Sequence, residues 1–232
     1  MPISAQSVIR RATDVLQDPT SIRWPVDELV RWLNDAQRAI VKVRPDALNI
    51  TTTMALAPGS RQDIDSATLS PPPAKLIEIT RNLAATSSKR AITKVDRHIM
   101  DRQLPGWHAM APTVNIDHYM FDPRDPKTFY VYPPATSAAQ LEVMYSAYPT
   151  DIAEPAPGGT FASVTGNLAL ADIYADDVLN LVLSRCYNKD AEYTANAVLA
   201  DKYMAMATAS LGAEIAATLA VQPQAKPGAA TT

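Results

Sequence analysis

The order of apolar and polar positions changes character twice along the chain. Up to about residue 47, apolar side chains recur every three or four positions, the period of one helix face. Ser4 is placed to cap a first helix whose apolar face is Val8, Ala12, Val15 and Leu16. Asp18-Pro19-Thr20 ends it, because the residue before a proline avoids the helical region. A second helix opens at Pro25, carries Asp27 and Glu28 in its first turn, and runs to about Arg44 ahead of Pro45. Its stripe is Leu29, Leu33, Ala36, Ile40 and Val43, broadened by Val26, Val30 and Trp32. Both tryptophans of this stretch, Trp24 and Trp32, are expected in the core.

From residue 48 to 150 the period shortens to short β-branched runs cut by prolines. Residues 50–57 and 61–65 flank Pro58-Gly59-Ser60 and read as a hairpin. Residues 76–80, 91–95, 116–121, 128–132 and 141–147 read as further strands, with a short helix over 97–104. Pro58, Pro73, Pro133 and Pro149 fall at predicted strand ends, where a missing N–H blunts an edge. The expectation is a mainly antiparallel sheet with one helix. Residues 149–166 read as a linker. Alanine-rich helices follow, from about Leu168 to Asn188 and over 191–219, paired as an αα-hairpin. Residues Val221–Thr232 are low in complexity and cannot pack alone, so a partner chain is their expected holder.

The pattern therefore predicts an α+β chain. It places helices in 1–47, a β-rich, mainly antiparallel stretch in 48–150, a linker and long helices in 151–220, and an extended, partner-bound tail in 221–232. The 232 residues suffice for one large domain or two small ones. Net charge is –3, carried by the last third: 1–47 and 48–150 are each +1, and 151–232 is –5. No global basic field for nucleic acid exists. No apolar run approaches a membrane span, and the amphipathic MPISAQSVIRR opening predicts no secretory leader.

Residues that carry chemistry are scattered. His98, His108 and His118 recur at ten-residue intervals, neither a helical nor a strand metal spacing, and are read as surface or locally hydrogen-bonded. Cys186, the single cysteine, is read as a buried, inert thiol. Asp172, Asp176 and Asp177 are read as a solvated acidic face rather than a metal pair. Phosphate-loop and nucleophile-elbow motifs are absent from a chain with only seven glycines. No catalytic residue, cofactor or metal is expected.

Several segments, in order, resemble the phage adaptor, or head-to-tail connector, proteins, which are similar in role to tail tubular protein A of short-tailed phages. They are residues 12–20, Ile22 through Arg38 with its Trp24-Pro25 corner, Leu104-Pro105-Gly106-Trp107, Tyr119-Met120-Phe121-Asp122-Pro123, Phe129-Tyr130-Val131-Tyr132-Pro133-Pro134, and Met144-Tyr145-Ser146-Ala147-Tyr148-Pro149. The likeness spans most of residues 5–215. It implies a helical bundle, built from 1–47 and 151–220, with 48–150 as an inserted β-rich domain, in a structural virion protein that is assembled in the host cytoplasm and placed at the portal vertex between capsid and tail. It implies a homo-oligomeric ring, commonly of twelve copies, bound to the portal protein above and a tail nozzle or tube protein below. Double-stranded genomic DNA would pass through without sequence-specific binding. The tail, in particular Val221, Gln222, Pro223, Gln224, Lys226 and Pro227, becomes the candidate portal-binding segment. Asp172, Asp176 and Asp177 become candidate channel-lining residues, since a neutral or acidic wall does not hold a sliding duplex. A tail completion or terminator protein that does not contact the portal, and a soluble enzyme, stand as alternatives.

Overall fold

The computed structural model describes residues 3–65, 69–86, 89–190 and 192–221, with side chains as far as 217. The fold is α+β. The chain divides into two compact units: residues up to Arg44 with those from Asp151 onward, and Pro45–Thr150.

The helical unit holds α1 (Ala5–Leu16), α2 (Val26–Val43), α4 (Ala175–Lys189) and α5 (Thr194–Val221). Ser4 caps α1 by accepting the Ser7 N–H at 3.2 Å. Val8, Ile9, Ala12 and Leu16 of α1 and Leu29, Val30, Leu33 and Ile40 of α2 are buried. The central helix is α4, which packs on α1, α2 and α5 through Val178, Leu179, Val182, Leu183 and Cys186. Between α1 and α2 the Asp18 carboxylate accepts N–H groups of Ile22, Arg23 and Trp24 at 2.8–3.1 Å.

Three expectations change here. Val15 and Val43 face solvent, because the buried arcs of α1 and α2 centre one position away, on Ile9 and on Ile40 and Val41. Trp24 is buried, its indole N–H donating to the Cys186 carbonyl at 3.2 Å, whereas Trp32 is half-exposed beneath the Lys189 ammonium. Residues 168–171 are not helical. Leu168 N–H donates to Ile3 O, Asn167 bridges Ser4, and Gln37 accepts the Ala169 N–H, so this backbone pairs with the N-terminal segment before α4 begins.

The second unit holds β1 (Asn49–Ala55), β2 (Gly59–Asp63), β3 (Pro73–Asn82), β4 (Thr93–Lys94), α3 (Arg97–Gln103), β5 (His118–Phe121), β6 (Thr128–Ala135) and β7 (Gln140–Ala147). Two sheets form, in the orders β1-β7-β3 and β2-β6-β5-β4, antiparallel except for β4 on β5. Inward residues of both, among them Met54, Leu76, Ile79, Phe129, Val131, Leu141, Val143 and Tyr145, make one core. Alternate residues Met120, Tyr130 and Tyr132 face the other way and receive Met100 and the fully buried Trp107.

The expected hairpin of 50–57 with 61–65 is not formed. β1 pairs with β7, β2 pairs with β6, and Pro58-Gly59 carries the chain from one sheet to the other. Gly59 takes φ +112°, and the Gln62 side chain closes the crossing through Ala57 N, Ala57 O and Gly59 O. Of residues 91–95 only Thr93-Lys94 pairs as strand. Pro133 does not end its strand: β6 continues to Ala135, which pairs with Gly59 and bridges Thr113.

Candidate functional site

The predicted site residues separate. The Val221 side chain and residues Gln222, Pro223, Gln224, Lys226 and Pro227 lie outside the described part. Asp172 and Asp176 are exposed, and Asp176 pairs with Arg11 at 2.6 Å. Asp177 is only 4% exposed. It turns toward α5, where the Ser210 side chain hydrogen-bonds to it. The three carboxylates therefore do not share a solvated face. Burial raises the Asp177 pKa, Glu214 and Asp176 add to the rise, and Ser210 offsets part of it.

The other candidates have local roles. His108 Nδ1 is 2.7 Å from Ser60 Oγ and its ring stacks on Trp107; His118 Nδ1 is 2.6 Å from Thr93 Oγ1. The Cys186 thiol is fully buried and pushed up to about 12, chiefly by that burial, so it stays protonated. Among the described residues no group of three or more His, Cys, Asp or Glu could hold a metal, and no helix is long and apolar enough to cross a membrane.

An open groove of about 890 Å³ lies between α3 and the β5–β6 turn. Its charges largely answer one another. Arg124 forks onto Asp122, whose pKa falls to about 2, mainly through that side-chain hydrogen bond. Arg97 sits over the Tyr130 ring at 4.6 Å and 3.5 Å from Asp101, and Asp101 accepts the Trp107 indole N–H. This arrangement holds α3 and Trp107 in place; it offers no activated nucleophile with a base beside it.

Two buried amides have roles that no sequence motif announces. The Asn34 side chain accepts the Ile152 N–H and donates to the Ile152 carbonyl, at 2.9 and 3.0 Å. Asn82 does the same for Ile116, at 2.9 and 2.8 Å. Each amide supplies a passing chain with the donor and acceptor of an absent strand neighbour.

The most conspicuous surface is α5. In 28 residues it carries only Asp201, Lys202 and Glu214 as charges, yet among its described side chains only Ala200, Ala207 and Leu211 are buried. Val198, Met204 and Met206 are exposed, as are Ala205, Ala209, Gly212, Ala213, Ala216 and Ala217. A helix apolar on nearly every side but packed along one narrow stripe leaves a face for another molecule.

In a comparison with known protein families, the model described as SU10 adaptor protein matches the chain over residues 3–228. No curated protein matches the chain.

Proposed function

The chain belongs to the SU10 adaptor protein family, a family of phage adaptors, and from that premise we propose that copies of it close into a ring that joins the portal to the tail and surrounds the path of the genome. It is a structural virion component of the head-tail junction, in a family that is not one of enzymes. The ring is the twelve-copy assembly that the resemblance implies. A closed ring needs two different surfaces on each subunit that fit one another. The observation that carries the reading is the uncovered apolar side of α5, which a single copy leaves in water.

In this reading Asp172 and Asp176 are the candidates to line the passage, and Asp177, buried against α5, is not. The segment Val221 to Pro227 reaches the portal, and the β-rich unit is free to meet neighbours or the tail nozzle. Co-sedimentation of the full chain with the portal ring of the same phage tests this. The full chain is expected to travel with the portal, and a chain ending at residue 220 to keep its fold but bind at least tenfold more weakly, a loss of about 1.4 kcal/mol. Failure of the full chain to bind the portal would favour a tail completion protein instead.

A further inference from the structure

Two uncovered surfaces lie in different units of the chain and differ in charge. The first is the outer side of α3 and the turn that follows. Residues 101–106 and 108–112 are exposed, with Met100 and Trp107 pinning the segment to β5 and β6. Ile99, Leu104 and Met110 face solvent, and Ile99 and Arg102 lie three residues apart on the side of α3 away from Met100. The carboxylates here are engaged: Asp96 caps α3, and Asp101 serves Trp107 and Arg97. Among the described residues Arg102 has no carboxylate within 4 Å, and Lys94 lies over the Phe121 ring without one. This surface is apolar with cations at its margin.

The second surface is the first half of α5 with the residues just before it. Val198 is 63% exposed and Tyr193 67%, and Met206, two turns beyond Val198, is exposed as well. Half of the acids of the helical unit are tied to arginines, among them Asp151 to Arg38, Glu154 to Arg31, Asp176 to Arg11, Asp190 to Arg23 and Glu214 to Arg44. Glu192 and Asp201 have no such partner among the described residues, and Lys202 is the single cation of this half-helix. This surface is apolar with carboxylates at its margin.

We infer that these are the two sides of one contact between copies: the outer side of α3 in one subunit seats on the first half of α5 in the next, with Arg102 and Lys94 facing Glu192 and Asp201. Two α3 surfaces would set cations against cations, so the contact joins unlike patches and runs head to tail. Nucleic acid is a poorer occupant for α3, because phosphate makes no use of Ile99, Leu104 and Met110. The inference deepens the ring reading and rests on it.

Disulfide trapping tests it in the full-length chain, where the one native cysteine is buried. One chain carries Ile99→Cys and another Val198→Cys, each mixed with itself and with the other under mild oxidation at high protein concentration. Covalent dimers are expected only in the mixture, and a chain carrying both cysteines should give a ladder of multimers. Arg102→Glu and Asp201→Arg should each weaken self-association about tenfold, and mixing the two should restore it. Multimers in the native mass without the mixed disulfide overturn this contact and leave the ring standing. A chain that neither cross-links nor gathers in multiple copies, alone or on the portal, overturns both. Dimers of the Ile99→Cys chain with itself, or binding of duplex DNA lost with Arg102→Glu, also refute the assignment.

Discussion

Asn34 and Asn82 show how single side chains set the path of chain that has no regular structure. Each satisfies both backbone groups of one residue, Ile152 and Ile116, inside the protein. Asn34→Ala or Asn82→Ala should cost about 2–4 kcal/mol in urea unfolding, since a buried donor and acceptor lose their partner together. Neither role is legible in the sequence, because Ile152 lies 118 positions from Asn34 and Ile116 lies 34 from Asn82. The tryptophans divide for a similar reason. Helical periodicity predicts a core place for both, but only Trp24 is buried, its indole bonded to the Cys186 carbonyl, so Trp24→Ala should cost about 3–5 kcal/mol. Trp32→Ala should cost on the order of 1 kcal/mol, the scale of its exposed contact with Lys189. Two aspartates should give opposite pH signatures. For Asp18 the small burial opposes ionisation, but donors from Trp24, Ile22, Arg23 and Thr20 outweigh it and lower the pKa, so its stabilisation is present at neutral pH and lost on acidification. For Asp177 the pKa is raised, so the fold is favoured at acid pH and loses stability as pH rises through the folded-state value. Asp177→Asn should therefore raise the melting temperature at pH 7 and leave it unchanged near pH 3, while Asp18→Asn should lower it at pH 7.

Among the elements, α1 and α2 are readable from their apolar stripes, with the Ser4 cap and Asp18-Pro19 bounding the first and Pro25 and Pro45 the second, and α3 from the Pro105-Gly106 stop behind it. Strand partners are not. Pro58-Gly59-Ser60 has the composition of a hairpin turn, yet it carries the chain between two sheets, because β1 finds a seven-residue register on β7. That pairing is long-range, and local composition holds no trace of it. Gly59→Ala should cost roughly 1–3 kcal/mol by backbone strain alone, since nothing lies within 4 Å of the added methyl group. Unfolding of that variant, compared with Gly106→Ala at a glycine without positive φ, separates strain from loss of flexibility. Periodicity misplaces the start of α4, because Leu168 and Leu170 continue the helical period while their backbone is already pairing elsewhere. In α5 the alanines predict the helix but not its exposure; which side packs is set chiefly by α4, with Arg44 and Tyr174 engaging Glu214.

At the scale of the molecule, a family of phage adaptors, a helical unit with an uncovered side and a β-rich unit inserted between Arg44 and Asp151 describe a part shaped to be joined to others. The order of packing and turn residues along the chain is enough to carry the family resemblance. The assembly surfaces are not readable that way, because an exposed Val198 and a buried Val178 look alike until burial separates them. The most direct test of the ring is the native mass of the portal complex as the full chain is added in steps. A closed ring predicts addition of a complete set of copies, with partial sets scarce because each copy is held by two neighbours. Copies that add one at a time, independently, or a portal mass that never changes, would contradict it.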